Sequence, residues 1–435
     1  MFDASRYCSR RRALINQERP QSGLVLLLGN QRSPRNYPDN PHPFRQDSTF
    51  LYYFGLDRPD LYGLIDLDAG TSTLYGEDGS LEDAIWSGDQ PSLRDEAAAA
   101  GIESVAPVSE LEEVLTTARS DERALHFLPP YRAEHRLRLE SLLGIRTEQL
   151  DASVSEPLIR AVVRQRSVKT EAEIDQIETA VERTVRLHEY AQRYATPGTS
   201  EREILAGMTR LVAAAESAFS FTPTCSVRGE VLHNHSYPNT LARQRAVYEA
   251  VLAAQSAAIE ALAPGVPFKE IHLLAARTLT EHLIEIGLMQ GDPEAAVDAG
   301  AHALFFPHGL GHMMGLDVHD MESLGEDYVG YADDQTRSEQ FGLHTLRLAR
   351  PLQPGFVATV EPGCYFIPPL VERWRDERRH ASFINYDRVE DFLGLGGVRL
   401  EDDVLITEDG TRMLGPALPK APAQVEARAG SAVGA

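Results

Sequence analysis

The sequence is poor in cysteine and has no long apolar run. Only three cysteines occur in 435 residues, Cys8, Cys225 and Cys364, and their spacing suggests no pairs. Such usage fits a reducing compartment. No apolar run approaches the roughly 18 residues that cross a bilayer. No apolar segment follows Arg10-Arg11-Arg12, so we expect no secretion signal and a cytoplasmic protein.

Basic residues are also scarce relative to acidic ones. The chain has 42 lysines and arginines against 65 aspartates and glutamates, a formal net charge of −23 at pH 7. Nucleic acids and anionic membranes both require a basic surface, so we expect neither as a partner. The 43% hydrophobic share is ordinary for a globular protein, and 435 residues suffice for two domains.

Residues 1–165 alternate predicted strands and helices, which indicates an N-terminal α/β domain. Its predicted elements are a buried strand at 23–28, a hairpin at 61–67 and 72–75, and helices at 111–118 and 131–143. The aromatic run at 50–54 follows Arg45-Gln46-Asp47-Ser48. We interpret that run as a strand entered from a loop.

A second region, residues 166–420, begins with two predicted helices. Thr170 with Glu173, and Ser200 with Glu203, form capping boxes of the type that starts a helix. The apolar periodicity continues to residue 194 behind the first box and to about residue 218 behind the second.

The second region also contains an internal duplication. Pro197-Gly198 and Pro264-Gly265 are 67 residues apart, and each lies between two predicted helices. Each second helix leads to a histidine segment, at 231–235 in the first copy and at 306–308 in the second. The same order of elements in both copies favours a duplicated fold.

The two copies differ after their histidine segments. The second continues into two strand-like motifs that carry Glu361 and Glu401, whereas the first passes from His233 almost directly into a helix. We therefore expect a missing hairpin after Leu241. Residues 421–435 are small and polar without periodicity, which predicts a disordered tail.

The residues that carry chemistry lie in three short motifs. The first, at 307–320, contains three histidines and two aspartates, and the others contain Glu361 and Glu401. One histidine and two glutamates form a ligand set for a hydrolytic metal centre with open coordination positions. Taken alone, His312 would be a hydrogen-bonded structural histidine, and Arg399 beside Glu401 a plain ion pair.

Together these motifs resemble aminopeptidase P, the Xaa-Pro aminopeptidases, in the metallopeptidase family that also holds prolidase and methionine aminopeptidase. The matching residues are Phe44-Arg45-Gln46-Asp47-Ser48, His308-Gly309-Leu310-Gly311-His312, Gly315-Leu316-Asp317-Val318-His319-Asp320, Thr359-Val360-Glu361-Pro362-Gly363 and Val398-Arg399-Leu400-Glu401-Asp402-Asp403. The resemblance implies an α/β (α+β) fold. It has a creatinase-like N-terminal domain at 1–165 and a duplicated pita-bread domain at 166–420 with a gap after Leu241.

The resemblance also implies roles for individual residues. In that family two Asp, one His and two Glu hold two metal ions. The implied metal ligands here are His312, Glu361 and Glu401. The two Asp have no counterpart, because their motifs belong between Leu241 and Ala242. The implied catalytic residues are His308, His319 and Glu361, and the implied substrate-binding residues are His233 and Arg399.

Two further expectations concern the chemistry of these groups. His308 and His319 should keep nearly ordinary pKa values and donate hydrogen bonds to the reaction intermediate. The nearby carboxylates could replace the lost ligands, although their motif positions favour other roles. They are Asp317, Asp320, Asp402 and Asp403.

The implied function is manganese-dependent removal of an N-terminal residue that precedes proline. Zinc and cobalt are alternatives because imidazole also suits them. The family holds two ions per chain, and one or none is possible here. Prolidase-type dipeptidase activity is the close alternative, and a catalytically silent proline-peptide-binding or interaction protein is the alternative from another class. The resemblance also implies a homodimer or homotetramer.

Overall fold

The computed structural model describes residues 2–16, 20–88, 90–196, 198–233 and 245–429. His235 and the predicted gap after Leu241 lie outside these ranges. The fold is mixed α/β, with 46% helix and 11% strand. The chain divides into two compact units, Met1–Arg166 with Ser323–Tyr328 and Ser167–Glu322 with Val329–Ala435.

The first unit contains a five-stranded mixed sheet. Its elements are α1 (Ala4–Asn16), β1 (Leu24–Leu28), α2 (Ser48–Phe54), β2 (Tyr62–Asp66), β3 (Thr71–Tyr75), α3 (Leu81–Ser87), α4 (Leu93–Ala99), β4 (Ser104–Ala106), α5 (Val108–Ser120), β5 (Leu125–His126), α6 (Ala133–Leu143), α7 (Leu150–Ser153) and α8 (Glu156–Ser167). The strand order is β4-β3-β2-β1-β5. The buried strand at 23–28, the hairpin β2–β3 and the helices α5 and α6 are confirmed.

The aromatic run at 50–54 is helical, so the strand prediction for it is wrong. The Asp47 carboxylate accepts a hydrogen bond from the backbone N–H of Phe50, which caps the N-terminus of α2. Gly55 ends the helix in the left-handed conformation, with φ of 71°. An Asp cap and a terminal glycine therefore outweigh the β propensity of the aromatic residues.

The second unit is rich in helices around two small antiparallel sheets. Its elements are α9 (Glu171–Tyr194), α10 (Glu201–Ala214), α11 (Arg245–Ala261), α12 (Phe268–Glu285), α13 (Pro293–Asp298), β6 (Val357–Val360), β7 (Gly363–Tyr365), α15 (Pro368–Asp376), α16 (Tyr386–Glu390), β8 (Gly397–Arg399), β9 (Asp402–Ile406), β10 (Thr411–Met413) and α17 (Pro422–Arg428). The short helix α14 (Glu326–Gly330) includes residues of both units. One sheet has the order β10-β9-β6, and the other pairs β7 with β8.

The helix pairs of the duplication are present. Both predicted capping boxes form, at the starts of α9 and α10. Gly198 and Gly265, between the helices of each pair, have positive φ values of 93° and 83°. The pairs differ in burial, because no described residue of α9 is fully buried, whereas eight residues of α12 are.

The predicted disordered tail must be corrected over Pro422–Arg428, which form α17. Arg428 pairs with Glu189 of α9 at 2.9 Å, and the Tyr248 hydroxyl donates to the Lys420 carbonyl at 2.7 Å. These contacts come from distant parts of the chain, so the local composition gave no sign of them. Residues 430–435 lie outside the described ranges.

Candidate metal centre

Strand pairing brings the predicted ligands to one face of the second unit. Thr359 of β6 lies opposite Asp403 of β9, and Val360 lies opposite Asp402. Because side chains alternate along a strand, Glu361 and Glu401, one residue beyond these pairs, share the face of Thr359 and Asp403. The ligand-bearing ends of β6 and β9 therefore meet at one edge of the sheet.

His312 joins this face from a segment that runs along the other side of β6. The Thr359 N–H donates to the His312 carbonyl at 3.0 Å, and the Glu361 N–H donates to the Leu310 carbonyl at 2.7 Å. A Cβ on Gly311 would lie 2.0 Å from the Thr359 carbonyl oxygen, so this close approach requires glycine. His312 is thereby fixed beside Glu361.

Hydrogen bonding orients the His312 ring for ligation. Its Nδ1 donates to the Met313 carbonyl at 3.0 Å, and Nε2 lies 3.3 Å from Glu361 Oε1. A backbone acceptor on one ring nitrogen is the usual way to fix the tautomer of a metal-binding histidine. Burial lowers the pKa of His312, but Glu361 and Glu401 more than offset this, and the pKa lies above its ordinary value.

The two glutamates have opposite electrostatic environments. Burial alone would raise the pKa of Glu361, but contact with His312 and the charge of Arg399 bring it below its ordinary value. Burial, Glu361 and Asp403 raise the pKa of Glu401 to about 8. Part of the Glu401 residue nevertheless remains accessible to solvent. Negative charge is therefore concentrated around Glu401.

These three side chains fit one divalent cation. Each offers a ligand atom, and the three atoms lie within 4.8 Å of one another. Ligands about 2.1 Å from a tetrahedral ion lie roughly 3.4 Å apart, close to the 3.3 Å between His312 and Glu361. Among the described residues, no other group of this kind occurs.

Beside the ligands, Tyr365 connects two predicted site residues, His308 and Arg399. The Tyr365 hydroxyl donates to His308 Nε2 at 2.9 Å and accepts from Arg399 Nε at 2.8 Å. Arg399 Nη1 lies 3.1 Å from Glu361 Oε2. Sequence reasoning missed Tyr365, although an aromatic residue two positions after the Glu361-Pro362-Gly363 motif was a usable signal.

The pKa expectation for His308 is wrong. Burial and the nearby Arg399 charge lower its pKa to about 4, so the ring is neutral at pH 7. Its Nδ1 donates to the Gly309 carbonyl at 2.8 Å, which leaves Nε2 as the acceptor from Tyr365. In this arrangement His308 receives hydrogen bonds at the site and does not donate them.

His319 lies next to His312, with their ring centroids 4.2 Å apart. It is exposed, and its Nδ1 faces Arg347 at 2.8 Å and Glu322 at 3.2 Å. The following residue, Asp320, is buried and pairs with Lys169 at 2.9 Å. This ion pair anchors the loop that carries His319.

The other predicted site residues do not belong to the group of three ligands. His233 is exposed, and in the described part of the chain no hydrogen bond, ion pair or ring contact joins it to the site. Asp320 and Asp402 are engaged by Lys169 and Lys420, and neither belongs to the ligand group. Asp403 shares the ligand face, and burial raises its pKa to about 6.

Two family profiles match the sequence. Residues 236–408 match metallopeptidase family M24, and residues 7–126 match the N-terminal domain of aminopeptidase P. The human Xaa-Pro dipeptidase is 30% identical over 98% of this chain and 92% of its own length. A probable Xaa-Pro aminopeptidase of Botryotinia fuckeliana is 30% identical over 91% of this chain and 90% of its own.

Solved structures share the fold. Pseudomonas aeruginosa aminopeptidase PepP has a TM-score of 0.76 at 23% identity, with 98% of each chain covered. Zinc-substituted E. coli aminopeptidase P in complex with product has a TM-score of 0.75 at 22% identity, again with 98% of each chain covered. At such identities the likeness establishes the architecture alone, and it confirms the predicted α/β fold of two domains.

The alignment with the human relative is longer than this chain. It extends over 468 positions, whereas 98% of 435 residues is about 426, so in about 42 positions only the relative has a residue. Such a difference agrees in direction with a lost segment but does not locate it. Identity near 30% over almost the whole length, together with the two profile matches, establishes that the chain is an aminopeptidase P-like member of metallopeptidase family M24.

Proposed function

We propose that the chain is a divalent-metal-dependent Xaa-Pro aminopeptidase, which hydrolyses the bond between an N-terminal residue and a following proline. The convergence of His312, Glu361 and Glu401 on one face supports this most directly. Relatives named Xaa-Pro aminopeptidase and Xaa-Pro dipeptidase support the substrate class. Manganese is the proposed ion because two of the three ligands are carboxylates, and zinc and cobalt remain the alternatives.

The proposed roles follow from the surroundings of each group. A divalent ion held by His312, Glu361 and Glu401 would supply Lewis acidity and lower the pKa of water. Glu361, ionised beside Arg399, accepts a proton at a carboxylate oxygen and returns it to the leaving proline nitrogen. Arg399 therefore acts here by keeping Glu361 charged, a role it can combine with substrate binding.

The histidines are assigned to the substrate side. His308 holds the Tyr365 hydroxyl through its neutral Nε2, which orients that hydroxyl beside Arg399. His319 is exposed beside His312, and we assign it a contact with a peptide carbonyl of the substrate. For His233 the proposed substrate contact has the least support, because the residue is exposed and, within the described ranges, no hydrogen bond or ion pair joins it to the other groups.

Two alternatives have specific observations in their favour. The human relative is named a Xaa-Pro dipeptidase, which favours cleavage of dipeptides. The described residues supply three ligands where the resemblance implies five, which favours a silent protein that binds proline peptides without turnover. Peptide length and turnover therefore separate the three functions.

Three matched peptides distinguish these functions. Purified protein loaded with manganese is incubated with Ala-Pro-Ala, Ala-Pro and Ala-Ala-Ala, and free alanine is measured. Release from Ala-Pro-Ala and not from Ala-Ala-Ala is the expected result. Release from Ala-Pro alone indicates a dipeptidase, and calorimetric binding without release indicates a silent protein. Neither binding nor release by the metal-loaded protein contradicts the proposal.

We also propose a cytoplasmic homodimer or homotetramer. The three cysteines are free, as expected in a reducing compartment. Within the described ranges, no helix is both long and apolar enough to cross a bilayer. The oligomeric proposal rests on the family resemblance, and sedimentation velocity tests it.

A further inference from the structure

The C-terminal segment reaches the back of the metal centre through Lys420. The Lys420 ammonium pairs with the Asp402 carboxylate and donates to Gln255 Oε1 at 3.1 Å. Gln255 is buried in α11, and its Nε2 donates to the Val360 carbonyl at 3.1 Å. We call Lys420, Gln255 and Asp402 the reverse-face cluster.

The reverse-face cluster reaches both residues that directly adjoin the glutamate ligands. Gln255 donates to the Val360 carbonyl, and Asp402 is itself a member of the cluster. Val360 precedes Glu361, Asp402 follows Glu401, and Val360 and Asp402 are paired across β6 and β9. Because side chains alternate, Asp402 points away from the face that carries Glu361 and Glu401. The cluster therefore connects the ends of both ligand strands from the side opposite the metal position.

The segment that carries Lys420 is held at two points. Gln192 Nε2 of α9 donates to the Pro419 carbonyl at 3.3 Å, and the Tyr248 hydroxyl of α11 donates to the Lys420 carbonyl at 2.7 Å. Lys420 is thus presented to Asp402 from a fixed backbone.

We propose that Lys420 is a positioning residue for the metal centre. It holds the ends of β6 and β9 together, so that Glu361 and Glu401 stand at ligand spacing. The C-terminal segment thereby sets the affinity for the divalent ion. This inference deepens the proposed function and rests on its metal site. Supporting groups behind metal ligands commonly contribute about 10–100-fold in affinity.

In any single variant of Lys420 that removes the charge, the electrostatic effect on metal affinity opposes the effect of losing the contact. Loss of the ammonium leaves Asp402 with an uncompensated negative charge, which would attract a cation and tighten metal binding. Loss of the clamp lets the glutamates separate and weakens binding. The double variant Lys420→Met/Asp402→Asn removes both members of the pair without changing the net charge, so only the positional effect remains.

A second ion pair of the same segment provides the control. Arg428→Met/Glu189→Gln also removes one pair at constant net charge, and neither residue belongs to the reverse-face cluster. The two double variants and the wild-type full-length protein are titrated with manganese by calorimetry. Amide hydrogen exchange of β6 and β9 is measured in the same proteins without metal. Lys420→Arg tests whether another cation at this position restores binding.

The inference predicts a manganese Kd weaker by on the order of tenfold in the Lys420/Asp402 variant, with faster exchange in β6 and β9. The Arg428/Glu189 control should match the wild type in both, and Lys420→Arg should recover most of the affinity. Equal Kd values in the two double variants overturn the inference, even if exchange differs. If the wild type binds no manganese, the proposed function fails, and exchange alone decides whether Lys420 positions the strands.

Discussion

At the scale of single residues, a buried histidine pair gives the protein a built-in sensitivity to acid. His272 and His302 are 0% and 1% exposed, and among the described residues none of their ring nitrogens meets a hydrogen-bond partner. Burial and neighbouring histidines lower both pKa values, that of His302 to about 4, although the nearby Val297 carbonyl slightly opposes the shift in His302. Both rings are therefore neutral in the folded protein.

The pH dependence of stability follows from these shifts. Unfolding restores the ordinary histidine pKa of about 6.5, so below that value the unfolded chain binds protons that the fold does not. The contribution of the neutral histidines to the free energy of unfolding is fully present above about pH 6.5 and is lost as the pH falls toward about 4. For His302 alone, a shift of this size corresponds to about 3 kcal/mol.

Denaturant unfolding at several pH values between roughly 4.5 and 7 measures this effect, because this window lies near the range between the pKa of His302 in the folded protein and its pKa in the unfolded chain. His302→Leu should reduce the slope of the unfolding free energy against pH, and His344→Leu, at an exposed position of the same unit, should leave it unchanged. Equal slopes in the two variants would contradict the assignment to His302.

At the scale of elements, the loop that carries His319 depends on one buried ion pair. Lys169, just before α9, and Asp320 have side chains 3% and 1% exposed. The Lys169 N–H donates to the Gly355 carbonyl at 2.8 Å, which ties the lysine to the approach to β6. The loop is further confined at Gly315, where a Cβ would lie 2.3 Å from the Asp320 carboxylate.

Lys169→Met should lower the free energy of unfolding by on the order of 3–5 kcal/mol, because the buried Asp320 charge loses its ammonium partner. Lys169→Met/Asp320→Asn should cost much less, since both members of the buried ion pair are then removed together. Urea unfolding of the two variants measures the difference. A single variant as stable as the double one would show that the pair does not anchor the loop.

Short-range sequence patterns predicted several elements correctly. At other positions two such patterns competed, and the prediction followed the wrong one. The capping boxes of α9 and α10 are short-range patterns, so sequence sufficed for them. At 50–54 an aromatic run suggested a strand, but the Asp47 cap and Gly55 produce α2. For α17 the decisive contacts, with Glu189 and Tyr248, come from residues far away in sequence.

Sequence predicted those residues of the candidate site that lie in recognisable motifs. His312, Glu361 and Glu401 were expected together, and the structure brings them within 4.8 Å. Tyr365, Lys169 and Lys420 were not singled out, because each acts through a partner that only the fold brings close. The pKa of His308 likewise depends on burial and on Arg399, which spacing does not reveal.

At the scale of the whole molecule, the two halves of the duplication are unequally packed. The 24 residues of α9 include no fully buried side chain, and α10 has two, whereas α11 and α12 have six and eight. The apolar side chains of α9 that pack against the sheet are only partly buried. They are Ile174, Ile177 and Val181, and they contact a small cluster formed by Val357, Leu405 and Leu414. This imbalance is in the direction expected if the first copy has lost strands that α9 would cover.

The proposed metal site requires that His312, Glu361 and Glu401 of the second copy hold an ion without the aspartates that the resemblance assigns to the first copy. Metal analysis of protein loaded with manganese and then desalted tests it most directly, with Glu361→Gln as the matched variant. We predict about one retained ion per wild-type chain, as three protein ligands can hold a catalytic ion, and none in the variant. Folded wild-type protein that retains no metal, or equal metal in both proteins, would contradict the account.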